Sequence, residues 1–197
     1  MAVLPIRTVG DPVLRTPTAV VTQFDAALAR LVADMIDTMY AAPGVGLAAP
    51  QIGVGLRVFV FDVDYDPQDR AVPRVPLAVV NPTLTIIEDG EVQHGGEGCL
   101  SVPGLHYPTS RAMRAVVRGV DAAGEPVEYA GEGLRARCFQ HEVDHLDGML
   151  FLQRLTGEAR VAAVRALREQ PPLPGTRLTG TDRPGAVVDP LRALRRT

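Results

Sequence analysis

The sequence contains no lysine: all 20 basic residues are arginine, a pattern that GC-rich codon usage produces without any functional demand. Cysteine is nearly as scarce. Cys99 and Cys138 stand alone, too few for a disulfide framework and suited to reduced thiols, with a single Cys99–Cys138 bridge as the lesser alternative. No apolar run approaches the roughly 18 residues of a membrane span, and "MAVLPIRTVGDPVLRTP" lacks the charged start and long apolar stretch of a secretory signal. A soluble cytoplasmic protein is expected, with no membrane partner. A net charge of −3 and a pI near 5.8 leave no broad basic surface, which argues against direct nucleic-acid recognition as the main task.

What is present is 197 residues, 46% of them apolar, and no internal repeat, enough for one compact core. In "DAALARLVADMIDTMYAA", Asp25 can cap a helix whose core stripe is Leu28, Leu31, Val32, Met35, Ile36 and Met39. Pro43 and the glycines of "PGVGLAAPQIG" force an irregular loop, and "LRVFVFDV" then reads as a strand. "LAVVNPTLTIIE" is extended, with Pro82 marking a bulge or an edge. "RAMRAVVRGV" and "PVEYA" flank "DAAGE" as a hairpin. A second helix is predicted from about Glu132 to Leu146 with Gly148 as its stop, and a third over "GEARVAAVRALREQ". The fold class is α+β, antiparallel strands packed around a central motif-bearing helix. Residues 1–170 form the expected catalytic domain, and the Pro-, Gly- and Arg-rich segment 171–197 is read as a loosely packed tail.

That central helix carries "QHEVDHLDG". Histidines four apart share one helix face about 6 Å apart along the axis, so His141 and His145 can both aim a ring nitrogen at one ion. Glu142, about 100° round the helix, falls beside such an ion, where a base for water belongs. His-Glu-x-x-His also arises by chance on ordinary helices, so a third ligand is needed. Cys138 precedes His145 by seven residues, a rise of about 10.5 Å, and cannot join the same ion. Cys99, within the glycines of "GGEGCLSVPG", is the candidate, since a thiolate binds borderline-soft divalent metals well.

Three segments in order, "GVGLAAPQIG" at 44–53, "EGCLSVPG" at 97–104 and "QHEVDHLDG" at 140–148, closely resemble the motifs of the bacterial peptide deformylases. The resemblance extends from about residue 5 to 168. It implies removal of the formyl group from the N-terminal formyl-methionine of new polypeptides. It implies Cys99, His141 and His145 as metal ligands, Glu142 as general acid and base, and the Gln51 amide and Leu100 backbone N–H as donors to the developing oxyanion. The methionine side chain is placed near Val45, Gly46, Leu134 and Cys138, with peptide pairing along Gly44–Gly46 and the segment after Cys99, and Gly98 among the substrate-binding residues. The implied metal in the cell is ferrous iron, although zinc, nickel or cobalt suits the same ligands. The implied partners are formyl-Met nascent chains and, transiently, the ribosome.

Two positions depart from the family pattern: Arg137 stands where many relatives carry an aliphatic residue, and His106 where some carry arginine. The family pattern suggests that Arg111 pairs with Glu97 and steadies the cysteine loop, with an exposed ion pair of little energetic worth as the alternative. Asp144 either orients a ligand or faces solvent, and His94 and His106 are read as surface residues. A zinc peptidase using the same helix is the rival reading, but "HEVDHLDGMLFLQRL" offers no third His or Glu after the motif, only Asp147. A non-catalytic binding relative is the other; it has no use for Glu142 or Gln51.

Overall fold

Asp25 caps the first helix as expected, its Oδ1 accepting from the backbone N–H groups of Ala27 at 2.9 Å and Leu28 at 3.1 Å. In this computed structural model, which describes residues 2–169 apart from Pro67, Arg70 and Asp89, the helix α1 spans Ala26–Ala41. Its Leu28, Leu31, Met35 and Met39 are buried. Next along the chain come β1 (Gly46–Ala48), β2 (Val58–Phe61) and β3 (Leu77–Ile86). They are followed by β4 (Val92–Cys99), β5 (Val102–Ala112), β6 (Arg114–Val120) and β7 (Pro126–Glu132), and then by α2 (Leu134–Leu146) and α3 (Gly157–Glu169). No helix among the described residues is long and apolar enough to cross a membrane.

Five strands form one antiparallel sheet in the order β1-β2-β3-β6-β7. The residues of β2 explain how it is covered. Side chains alternate between the faces of a strand, and Val58 and Val60 pack with Leu31, Met35 and Met39 of α1. Phe59 and Phe61 pack on the opposite face with Phe139, Val143 and Leu146 of α2. Both faces are therefore covered, which is why "VFVF" is apolar throughout. Burying each phenylalanine contributes about 1.5–3 kcal/mol, and α2 is thereby pressed against the sheet.

The predicted hairpin is β6–β7, with Val120 opposite Pro126. Its turn is closed by Asp121, whose Oδ1 accepts from the N–H groups of Ala123 and Glu125. The irregularity at Pro82 is a register shift between Val80 and Thr83. Beside it Asn81, the chain's one asparagine, holds φ 52° and bonds both the N–H and the C=O of Val21. The loop expected at 43–53 contains the short strand β1 and a 3₁₀ turn, Ala49–Ile52. The helix α2 starts two residues later than predicted because Glu132 still pairs with Arg114 in the sheet and Gly133, at φ 56°, makes the corner.

Residues 92–112, rich in glycine and proline, carry no strand signature, yet β4 and β5 pair into a separate two-stranded sheet whose tip runs from Cys99 to Val102. This hairpin packs against α2 and a third apolar cluster of Leu14, Val102, Leu150, Phe151, Leu155 and Ala163, which includes α3. The segment 171–197 lies outside the described residues.

Candidate metal centre

The α2 face turned toward the β4–β5 hairpin carries His141 and His145, and the hairpin tip carries Cys99. His145 Nε2 lies 3.2 Å from His141 Nε2 and 3.2 Å from Cys99 Sγ. All three donor atoms fall within 4.8 Å of one another. A tetrahedral ion with bonds of about 2.0–2.3 Å separates its ligand atoms by about 3.4 Å, so the arrangement fits an ion at its centre. Burial and the neighbouring His141 push His145 well below its ordinary range. Its Nδ1 has no hydrogen-bond partner. Cys138 is excluded as expected: its Sγ faces the Val45 carbonyl at 3.7 Å, and burial pushes its thiol well up.

Two further groups lie near this centre. Glu142 is buried beneath the strand β1, with Oε2 lacking any partner. Burial pushes its carboxyl up to about 7, with His141 opposing the shift and the Glu97 charge adding to it. Gln51, 1% exposed, has its amide orientation set by Ala48, whose N–H donates to Oε1 at 2.8 Å. Its Nε2 is thereby turned toward Cys99 Sγ at 3.6 Å and Ser101 Oγ at 3.3 Å. The Ser101 N–H also points to Cys99 Sγ at 3.4 Å. Ser101 was not singled out from the sequence; its position two residues after the cysteine was the only signal.

Behind the ligands lies a buried chain of charge. Glu97 Oε1 accepts from His141 Nδ1 at 2.7 Å and Arg111 Nη2 at 2.6 Å. Its Oε2 accepts from Arg111 Nε at 3.0 Å and Arg137 Nη1 at 2.9 Å. Arg111 reaches on to Asp144, which also binds Arg154. The expected Glu97–Arg111 pair is thus a buried bidentate one rather than an exposed contact, and Asp144 faces inward. Although burial raises the Glu97 carboxyl, hydrogen bonds from His141 and Arg111 hold it down to about 2. Burial works against His141 too, but Cys99 and Glu97 raise it well above its ordinary range. The Glu97 hydrogen bond holds the ring with Nδ1 toward Glu97 and Nε2 toward the centre. Nothing in "FLQRL" marks Arg154 as part of this network.

A cleft of about 620 Å³ opens beside the centre, lined by Gly44, Val45, Gly46, Gln51, Gly98, Cys99, Leu100 and the strand β5 as far as His106. Leu134 and Cys138 do not line it: Leu134 is 54% exposed at the start of α2, and Cys138 is buried under Gly46. His94 and His106 are exposed, as expected. The Gly44–Gly46 strand passes very close to the site. A Cβ on Gly46 would collide with Glu142 Oε1 and lie 2.9 Å from the Cys138 sulfur, and one on Gly44 would meet Leu100 Cδ1 at 2.9 Å. Gly46→Ala is therefore expected to displace Glu142 and lower kcat at least about tenfold, since small misplacements near reacting groups cost up to about 100-fold. Steady-state kinetics at saturating substrate check this, and wild-type kcat would refute it.

A helix-borne His-Glu-x-x-His, a cysteine from a facing hairpin, a buried carboxylate and an oriented amide define a metal-dependent hydrolase. The family model for polypeptide deformylase matches residues 3–161. The peptide deformylase of Acidothermus cellulolyticus is 58% identical over 169 residues, covering 86% of this chain and 88% of that protein. That of Mycolicibacterium paratuberculosis is 53% identical over 178 residues, covering 85% and 89%. The crystal structure of peptide deformylase from Thermus thermophilus matches with a TM-score of 0.74 at 44% identity, over 84% of this chain and 93% of that one. The enzyme from Synechococcus elongatus, in complex with actinonin, matches with 0.75 at 37% identity, over 84% and 86%. The chain belongs to the polypeptide deformylase family, metal-dependent hydrolases that remove the N-terminal formyl group from newly made polypeptides.

Proposed function

We propose that Cys99, His141 and His145 hold one divalent metal ion and that deformylation takes place beside it, in the cleft between β1 and the cysteine hairpin. The convergence of one thiol and two ring nitrogens at 3.2 Å spacing, with Glu142 and the Gln51 amide beside them, carries this reading. When bound, the metal supplies Lewis acidity and lowers the pKa of water. Glu142 takes a proton from the attacking water and delivers it to the departing amine as formate is released. The Gln51 Nε2 group, held by Ala48, donates to the developing oxyanion together with the Leu100 N–H. Gly44, Val45, Gly46 and Gly98, which line the cleft, align the peptide, and the methionine side chain lies in that cleft beside Val45 and Gly46. Ferrous iron is the metal we assign in the cell, with zinc, nickel or cobalt able to replace it. We place the enzyme in the cytoplasm, where it meets formyl-Met chains at the ribosome.

The test is formate release from formyl-Met-Ala-Ser by protein purified without oxygen, before and after a chelator strips the metal. Release that disappears on stripping and returns with added iron, nickel or cobalt is the expected result. Undiminished release by verified metal-free protein would overturn the metal-centred mechanism.

A further inference from the structure

The metal ligands come from two units that no sheet ladder joins: Cys99 from the two-stranded β4–β5 hairpin, His141 and His145 from α2. What sets the distance between them is the junction of hairpin and helix, and two guanidiniums cross it in opposite directions. Arg111, on the hairpin, pairs with Glu97 of its own sheet and reaches across to Asp144 on the helix at 2.7 Å. Arg137, on the helix one turn before His141, reaches back to the hairpin. Its Nη1 donates to Glu97 Oε2 at 2.9 Å and to the Thr109 carbonyl at 2.9 Å, and its Nε to Gln93 Oε1 at 3.3 Å.

Arg137 thus touches both strands of the hairpin and completes the fourth acceptor position of the carboxylate that holds His141. The strand β4 makes room for it between Gln93 and Glu97. A Cβ on Gly95 would lie 3.2 Å from Arg137 Nη2, a nitrogen that is buried without a hydrogen-bond partner. An arginine this buried, 7% exposed, is not a solvated helix residue.

We infer that Arg137 is a positioning residue of the metal centre: it fixes the cysteine hairpin against the two-histidine helix and so sets how tightly the metal is retained. This rests on the proposed ligand set. Loss of groups that orient metal ligands typically costs about 10- to 100-fold in affinity, and that range is expected here as faster release of Co²⁺ from Arg137→Met into excess chelator. A shift of the cobalt d–d absorption bands should accompany it, with far-UV circular dichroism unchanged. Arg137→Lys, which keeps the charge but not the fork, should fall between wild type and Arg137→Met.

Gly95→Val crowds the same guanidinium from β4, so it should speed release in the wild-type background and add little in Arg137→Met. Release within twofold of wild type by folded Arg137→Met overturns the inference. If Arg137→Met does not fold, wild-type release by Arg137→Lys together with Gly95→Val overturns it instead. Wild-type protein that binds no Co²⁺, or a Cys99→Ala variant that binds it equally well, would point to failure of the ligand set itself.

Discussion

Glu142→Ala is expected to lower deformylation by about 100- to 10,000-fold, the range a positioned general acid–base residue contributes, while the protein keeps its metal. The two halves of this expectation have separate physical grounds. Glu142 follows His141 directly in sequence but points round the helix to the space beneath Gly46, where its Oε2 has no hydrogen-bond partner. Its removal therefore breaks none of the contacts that position Cys99, His141 or His145. Proton transfer suffers, and ligand geometry does not. Single-turnover formate release combined with metal analysis of the same sample separates these effects. A loss under about tenfold would remove Glu142 from the proton-transfer role. A large loss accompanied by metal-free protein would show instead that Glu142 acts through metal retention.

Glu97→Ala is expected to damage both stability and metal retention. The carboxylate is buried and satisfies Arg111, Arg137 and His141 together. Its loss leaves two buried guanidiniums around a gap, with only Asp144 opposite Arg111. Removing one member of a buried ionic network costs about 3–5 kcal/mol, a large part of the roughly 5–15 kcal/mol that holds a domain together. The His141 ring also loses the acceptor that fixes its Nδ1, so metal affinity should fall as well. Urea unfolding of the metal-free variant isolates the first effect, and metal competition measures the second. A destabilisation below about 1 kcal/mol, the usual value of an exposed pair, would contradict the view that this network secures the hairpin to α2.

The same site shows how far local pattern carries. The core stripe of α1, the Asp25 cap, the strand β2 and the β6–β7 hairpin were all legible because each depends on residues within a few positions of one another. Segment 92–112 was not. Its glycines and prolines oppose strand formation, and it pairs because both of its strands are anchored elsewhere, through Gln93 to Gly133 and through Ala112 to Gln140. Arg137 illustrates the same limit. Its position on α2 follows from the sequence, but its partners lie 28 to 44 residues away on two strands.

By itself, then, the sequence determined the two-histidine helix, the carboxylate beside it, the cysteine as the candidate third ligand, and the family through three ordered motifs. Helical spacing and motif order are local properties of the chain, set before any long-range contact forms. Only the tertiary structure decided how Cys99 meets His145 across 46 residues of chain, and which oxygen of Glu97 each arginine holds. It also decided how closely Gly46 overlies Glu142. These depend on how a separate hairpin docks against α2, and that docking is set by buried side chains that come together only when the core closes.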